Sequence, residues 1–237
     1  MAKRINGSFN WSVLNTNQII VTYTPVAGNG MVGVVTTKSN STVTSVVQTN
    51  CTWTFVRAKQ LSTTARVEIW YCAGAGASPG TTITANLSAS NRGVSMLVEE
   101  YNPGFVGTVL DVANDSSDSG KGGAGVTINS GTTAATTQAS ELWVCGAYSD
   151  DGANGFTQTM TAPTNGFAVT QSKTWTYVIA TIATAVGVAL IDKIVTATAG
   201  SASVAVTSGG YDQYAAEICC LRFADPTNQF FRLLSKQ

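Results

Sequence analysis

Apolar and polar positions alternate with a period of two over much of this chain, in short runs rich in Val, Ile, Thr and aromatic residues that end at Gly, Asn, Ser or Pro. Successive side chains of an extended chain point to opposite faces, so this pattern writes β-strands; the spacing of an amphipathic helix is almost absent. The predicted strands are Ile19–Tyr23, Met31–Thr37, Thr42–Val47, Thr52–Arg57, Arg66–Cys72, Thr81–Leu87, Val94–Tyr101, Leu142–Tyr148, Trp175–Thr184, Ala202–Thr207 and Ala215–Phe223. Eleven such strands predict an all-β fold, a two-sheet β-sandwich that is jelly-roll-like. The sandwich is expected over 19–223, with an N-terminal extension at 1–18 and a C-terminal arm at 224–237.

Two strands depart from simple alternation. Leu142–Tyr148 is apolar on both faces, as expected of a strand covered on both sides. Val94–Tyr101 begins the same way and ends in Glu99 and Glu100, which must point to opposite faces and therefore make a poor acid/base pair. The halves also echo each other in the order of their elements. Met31–Val35, Trp53, the Trp70-Tyr71 strand, Thr82–Ser88 and Val94–Tyr101 are followed by Leu142–Tyr148, Trp175, Tyr177–Thr184, Ala202–Ser208 and Ala215–Phe223. Two related half-sandwiches interleaved into one domain explain that order. Between them, the Asp-, Ser- and Gly-rich stretch Asp111–Gly131 reads as a mobile loop.

Charge narrows the function. With thirteen basic and thirteen acidic residues and no net charge, the chain has no basic field to hold nucleic acid. So light a charge suits a protein whose surface is partly covered by neighbours. No apolar stretch follows Lys3-Arg4 to act as a signal-peptide core, which leads to an expectation of synthesis in a host cytoplasm. The longest apolar run, Tyr177–Ile191, is too short and too interrupted to span a bilayer, so no membrane partner is expected. Five cysteines, Cys51, Cys72, Cys145, Cys219 and Cys220, form neither a disulfide framework nor a zinc motif, and Cys72, Cys145, Cys219 and Cys220, in or at the ends of apolar runs, read as small buried hydrophobes.

The absence of histidine removes Ser-His-Asp and Cys-His catalysis together with His-based metal sites. Gly120-Lys121-Gly122-Gly123 lacks the Ser or Thr and the helix that a phosphate loop needs. Asp111, Asp150 with Asp151, and Asp115 with Asp118 are the carboxylates open to a glycosidase or calcium reading, and each fits better as a turn or solvated loop residue. No enzyme activity and no cofactor are expected. Four tryptophans, Trp53, Trp70, Trp143 and Trp175, lie within or at the ends of strands as core residues. Trp11 precedes the first clear strand and is the candidate for a surface contact.

The segments Trp53–Arg57, Val67-Glu68-Ile69-Trp70-Tyr71-Cys72-Ala73-Gly74-Ala75-Gly76, Thr81–Ser88, Met96-Leu97-Val98-Glu99-Glu100-Tyr101-Asn102-Pro103-Gly104, Leu110-Asp111-Val112, Ala139–Val144 and Ile218–Phe223 follow one another in a distinctive order. In that order the chain resembles the β-sandwich modules of tailed-phage structural proteins, often labelled minor tail proteins, and of bacterial surface proteins. The resemblance covers about Ile19 to Phe223 and departs in the Asp111–Gly131 stretch and at both termini. It implies a sandwich fold and a non-enzymatic role in display, attachment or assembly. The expectation taken from it is a virion component, a capsid decoration or tail-surface protein, with other virion proteins and further copies of itself as partners, a trimer being the guess for a small decoration sandwich. The alternative is a carbohydrate-binding adhesin or receptor-binding module with a glycan partner. Beyond the last strand, Phe230, Phe231, Leu233 and Leu234 are costly to leave in water, and with Trp11 they are the expected interface residues.

Overall fold

The computed structural model describes residues 2–61, 65–118, 125–152, 158–179, 182–196, 200–211 and 213–224. Its elements are strands: β1 (Lys3–Ser12), β2 (Thr16–Thr22), β3 (Gly30–Thr37), β4 (Val43–Val47), β5 (Trp53–Leu61), β6 (Ala65–Cys72), β7 (Thr82–Asn91), β8 (Val94–Asn102), β9 (Phe105–Asp118), β10 (Thr127–Ala135), β11 (Glu141–Asp150), β12 (Ala168–Ile179), β13 (Ile182–Val195), β14 (Ser201–Thr207) and β15 (Gln213–Phe223). The chain is all-β, as its period-two patterning predicts.

The first half forms a large sheet in the order β1-β8-β3-β6-β5 and a small one in the order β2-β7-β4. The second repeats the plan with β9-β15-β11-β13-β12 and β10-β14. A bridge from Thr161 to Thr207 lies on β14, which takes the place of β7 in this half. All strand pairs are antiparallel. Each half is therefore a two-sheet sandwich, and the halves are not interleaved.

Burial follows from this layering. Ile19, Val21, Ile83 and Ala85 of the first small sheet pack on Met31, Val35, Trp70 and Met96. Ile128, Val204 and Val206 of the second pack on Trp143, Cys145, Ile191 and Ile218. The opposite faces of the two large sheets then close on each other through Val32, Val34, Val67, Ile69 and Leu97 against Leu142, Val144, Val188, Leu190 and Leu221. Strands β3 and β11 lie in the middle of this stack and are buried along their whole length, so they carry apolar residues on both faces.

The two halves meet with opposed charge. Arg4 pairs with Asp192 at 3.0 Å, Lys38 with Asp150 at 3.3 Å, Lys59 with Asp115 at 2.5 Å, and Arg57 with both Asp115 and Glu217. In each pair the cation comes from the first half and the carboxylate from the second. Strand β5 lies against β9, and the aromatic and Lys side chains of β1 and β12 meet at the other end of the seam. Each half thus offers the first strand of its large sheet to the far edge strand of the other's, the arrangement of an isologous dimer fused into one chain.

Three expectations change. Residues 3–12 of the expected N-terminal extension are an edge strand of a large sheet, paired with β8. Asp111 and its neighbours are not a loop, because β9 reaches Asp118 along β15 and β10 begins at Thr127. The Asp and Ser residues of β9 obscure it because it is an edge strand whose Asp115 faces Arg57 and Lys59 rather than an apolar core. Lastly, the expected strand Trp175–Thr184 is a hairpin, with Ile179 opposite Ile182 and β13 continuing to Val195.

Candidate functional surface

Buried carboxylates are the first place to look for chemistry, and here they are occupied by the fold. Glu99 and Glu100 point to opposite sides of β8, as strand geometry requires. Glu100 accepts hydrogen bonds from Tyr23 Oη (2.5 Å), the Val26 amide (2.9 Å) and Asn29 Nδ2 (2.5 Å), which ties the turn after β2 to the sheet. Glu99 turns into the seam and accepts from Gln171 Nε2 at 3.0 Å. A Glu-x-Trp step occurs once in each half. Trp70 Nε1 donates to Glu68 at 3.0 Å and Trp143 Nε1 donates to Glu141 at 2.9 Å, so each buried indole is satisfied by the carboxylate two residues back on the same strand face.

Of the acids singled out in the sequence, Asp111, Asp115, Asp150 and Asp151 are also used internally, while the Asp118 side chain lies outside the described residues. Asp111 accepts from the Thr137 amide and hydroxyl, both at 2.7 Å, and from Arg222. Burial alone raises its pKa, but these donors outweigh burial and hold the carboxyl well below the usual range. Its neighbour Glu141 is pushed up to about 7, first by burial and then by the Asp111 charge. A split carboxyl pair is what acid/base catalysis requires. Here the Asp111 carboxyl is held by Thr137 and Arg222, with its side chain 2% exposed, and Glu141 is wholly buried with Trp143 as its donor, so both serve the fold. Asp150 accepts from Tyr148 Oη at 2.8 Å and Gln213 Nε2 at 2.6 Å, and Asp151 accepts from the Ala185 amide at 2.8 Å. Among the described residues, no group of His, Cys, Asp or Glu is arranged to hold a metal ion.

All five cysteines are free, with Cys51 partly exposed and the other four buried. Burial raises the Cys51 thiol and pushes Cys72 up to about 12, so neither is a ready thiolate at neutral pH. Alkylation of the native protein should therefore label Cys51 first, and denaturation without reductant should bring the count to five. Mass measurement under both conditions decides this, and fewer than five labels after denaturation would mean a disulfide has formed.

Of the expected interface residues, Trp11 is the one that can be placed; Phe230, Phe231, Leu233 and Leu234 lie outside the described residues. Trp11 is 43% exposed, whereas the other tryptophans are between 5% and 9% exposed, as core residues should be. It is at the seam, stacked between Phe9 (5.7 Å) and Trp175 (6.4 Å), with Lys173 Nζ 3.9 Å from the Phe9 ring centre. Trp11 is thus a half-exposed indole within a row of aromatic rings, beside a cationic side chain.

The outer sheets present an uncharged surface. None of β2, β4, β7, β10 or β14 contains a single charged residue. Their inward positions are mostly the Val, Ile, Leu and Ala of the two outer cores, joined by Asn91, Ser130 and Thr133, and their outward positions are mostly Thr, Ser, Asn and Gln. Among the described residues, the ion pairs between the halves are instead gathered at the seam between the large sheets. Sequence reading missed this division because it becomes visible only once the outermost strands are known.

No protein-family model, curated protein or solved structure matches the chain.

Proposed function

We propose that this chain is a non-enzymatic structural subunit of an assembled surface, and specifically a virion protein of a tailed bacteriophage at a capsid-decoration or tail-surface station. The observation that carries this reading is the charge-free pair of outer sheets at opposite ends of the four-layer stack. Soluble β-proteins protect edge strands and flat sheet faces with Lys, Glu or Pro, because an unprotected edge pairs with other chains. Strands β2 and β4 are edges without that protection. A subunit surrounded by neighbours has no need of it. The strand order supports the same reading. With the Thr161 bridge counted as the fourth strand of the second half, each half numbered from its own first strand runs 1-8-3-6-5 in its large sheet and pairs 2 with 7 in its small one, which we read as a jelly roll. Jelly rolls are the architecture of many viral capsid and lectin domains.

Mass spectrometry of purified particles from the source phage is expected to find the protein in stoichiometric amount. A chain truncated after Asp225 is expected to fold but to be lost from the particles, because it lacks Phe230, Phe231, Leu233 and Leu234. Retention of the truncated chain would remove the C-terminal arm from the contact. Absence of the full-length chain from particles would overturn the structural reading.

The exposed Trp11, in its row of aromatic rings at the seam, favours the second reading, a glycan-binding module, since an exposed aromatic side chain offers a sugar both apolar surface and a polar N–H. Saturable binding on a glycan array that is lost in Trp11→Ala would support it, whereas a silent array would leave Trp11 as the rim of the seam.

A further inference from the structure

The outward face of the β2-β7-β4 sheet has the anatomy of a protein interface. Its strand registers align Gln18 with Asn86, Ile20 with Thr84 and Thr22 with Thr82 on one side of β7, and Ser45 with Asn86 and Val47 with Thr84 on the other. The middle row, Ile20-Thr84-Val47, sets two aliphatic side chains around a threonine, and they are 38% and 52% exposed. The rows on either side are amides and hydroxyls. Val47, Thr49, Thr82 and Thr84 border a shallow hollow of about 330 Å³ beside that centre. An apolar centre within an uncharged polar rim, depleted of Lys and Glu, is the composition of a specific contact rather than of open surface.

We propose that through this face two copies of the chain pair about a two-fold axis, an inference that rests on the reading of the protein as a subunit of an assembly. The argument for a second copy as occupant is one of charge. A partner bearing Lys, Arg, Asp or Glu would have to strip water from those groups and find no counter-charge on β2, β4 or β7, which is strongly unfavourable. The matching surface must itself be charge-free, and a second copy of this sheet supplies one. Amides and hydroxyls both donate and accept, so the rim rows satisfy each other in a self-facing arrangement, while Ile20 and Val47 meet their own kind at the centre. The other outer sheet is a poorer match. It presents Thr127, Asn129, Ser203, Ala205 and Thr207, with no large apolar side chain among them.

Sedimentation velocity of the full-length chain over its soluble concentration range tests the pairing. The unmodified protein is expected to move from monomer to dimer mass with concentration. Val47→Lys, at an exposed position where folding tolerates it, is expected to weaken pairing by about tenfold or more, while Thr127→Lys on the other outer sheet leaves it unchanged. A monomer at every concentration, or a Val47→Lys protein that pairs as tightly as the parent, overturns the proposal. A chain that is monomeric alone yet recovered from particles sinks the two-fold contact and leaves the structural-subunit reading standing. A dimer sensitive to Val47→Lys in a protein never recovered from particles does the reverse.

Discussion

Gly146→Leu is expected to lower the stability of the whole chain by about 3 kcal/mol or more, read as a fall in the urea midpoint. Gly146 sits near the middle of β11, on the face that meets the first half. A Cβ there would lie 2.7 Å from Val34 Cγ1 and 3.0 Å from Val67 Cγ1, side chains that are themselves wholly buried. No solvent-facing rotamer is open to a larger residue, so leucine must separate the two large sheets or bend β11, and either response breaks packing on both sides of the seam. Gly146→Ala, which adds only the Cβ, is expected to cost less. If the leucine variant unfolds at the parent's midpoint, the two halves are not packed face to face as described.

The same seam shows what could be read in advance. Strands β3, β6 and β7 carry clear alternation or apolar runs, and their predicted limits fall within a few residues of the observed ones. Leu142–Tyr148, apolar on both faces, already contained the signature of a strand between two cores. The four-layer stack follows from having such a strand in each half. What stayed hidden were strands whose partners are ionic or partial. In β1, a register shift between Arg4 and Gly7 disrupts the alternation. In β9, the outward side chains meet Arg57, Lys59 and Arg222 from other strands, a pairing across more than fifty residues that no local pattern records. The order of elements in the two halves was legible without residue identity, because topology constrains where strands and turns fall more tightly than which apolar residue fills each position. Of the candidate interface residues, Trp11 was singled out because it precedes the first predicted strand. It lies within a strand, and it is exposed because that strand ends at the rim of the seam.

Glu217 is expected to make the protein less stable as pH rises from about 4.5 to 8. Its carboxyl is wholly buried in the seam, neither oxygen has a hydrogen-bond donor, and the nearest cation is Arg57 Nε at 3.4 Å. Burial pushes its pKa up to about 8; Arg57 and Arg66 oppose that rise, and Asp115 and Glu68 reinforce it. The unfolded chain releases this proton near pH 4.5 and the folded chain near 8, so between those values the folded state binds more protons. The stabilisation is complete below 4.5 and is lost as pH rises through 8, at up to about 1.4 kcal/mol per pH unit. Glu141, pushed up to about 7, and Asp192 and Glu99, both raised by burial, add slopes of the same sign. Asp111 and Asp115 are lowered by their partners and act in the opposite sense only at more acid pH. Glu217→Gln isolates one group from the others. Near pH 5 it replaces a neutral acid with a neutral amide of similar shape and should change the urea midpoint little. Near pH 8.5 it removes a buried negative charge and should raise the midpoint well above the parent's. An equal effect of Glu217→Gln at both pH values would mean that Glu217 does not carry a proton in the folded protein, and that Arg57 holds it ionised throughout.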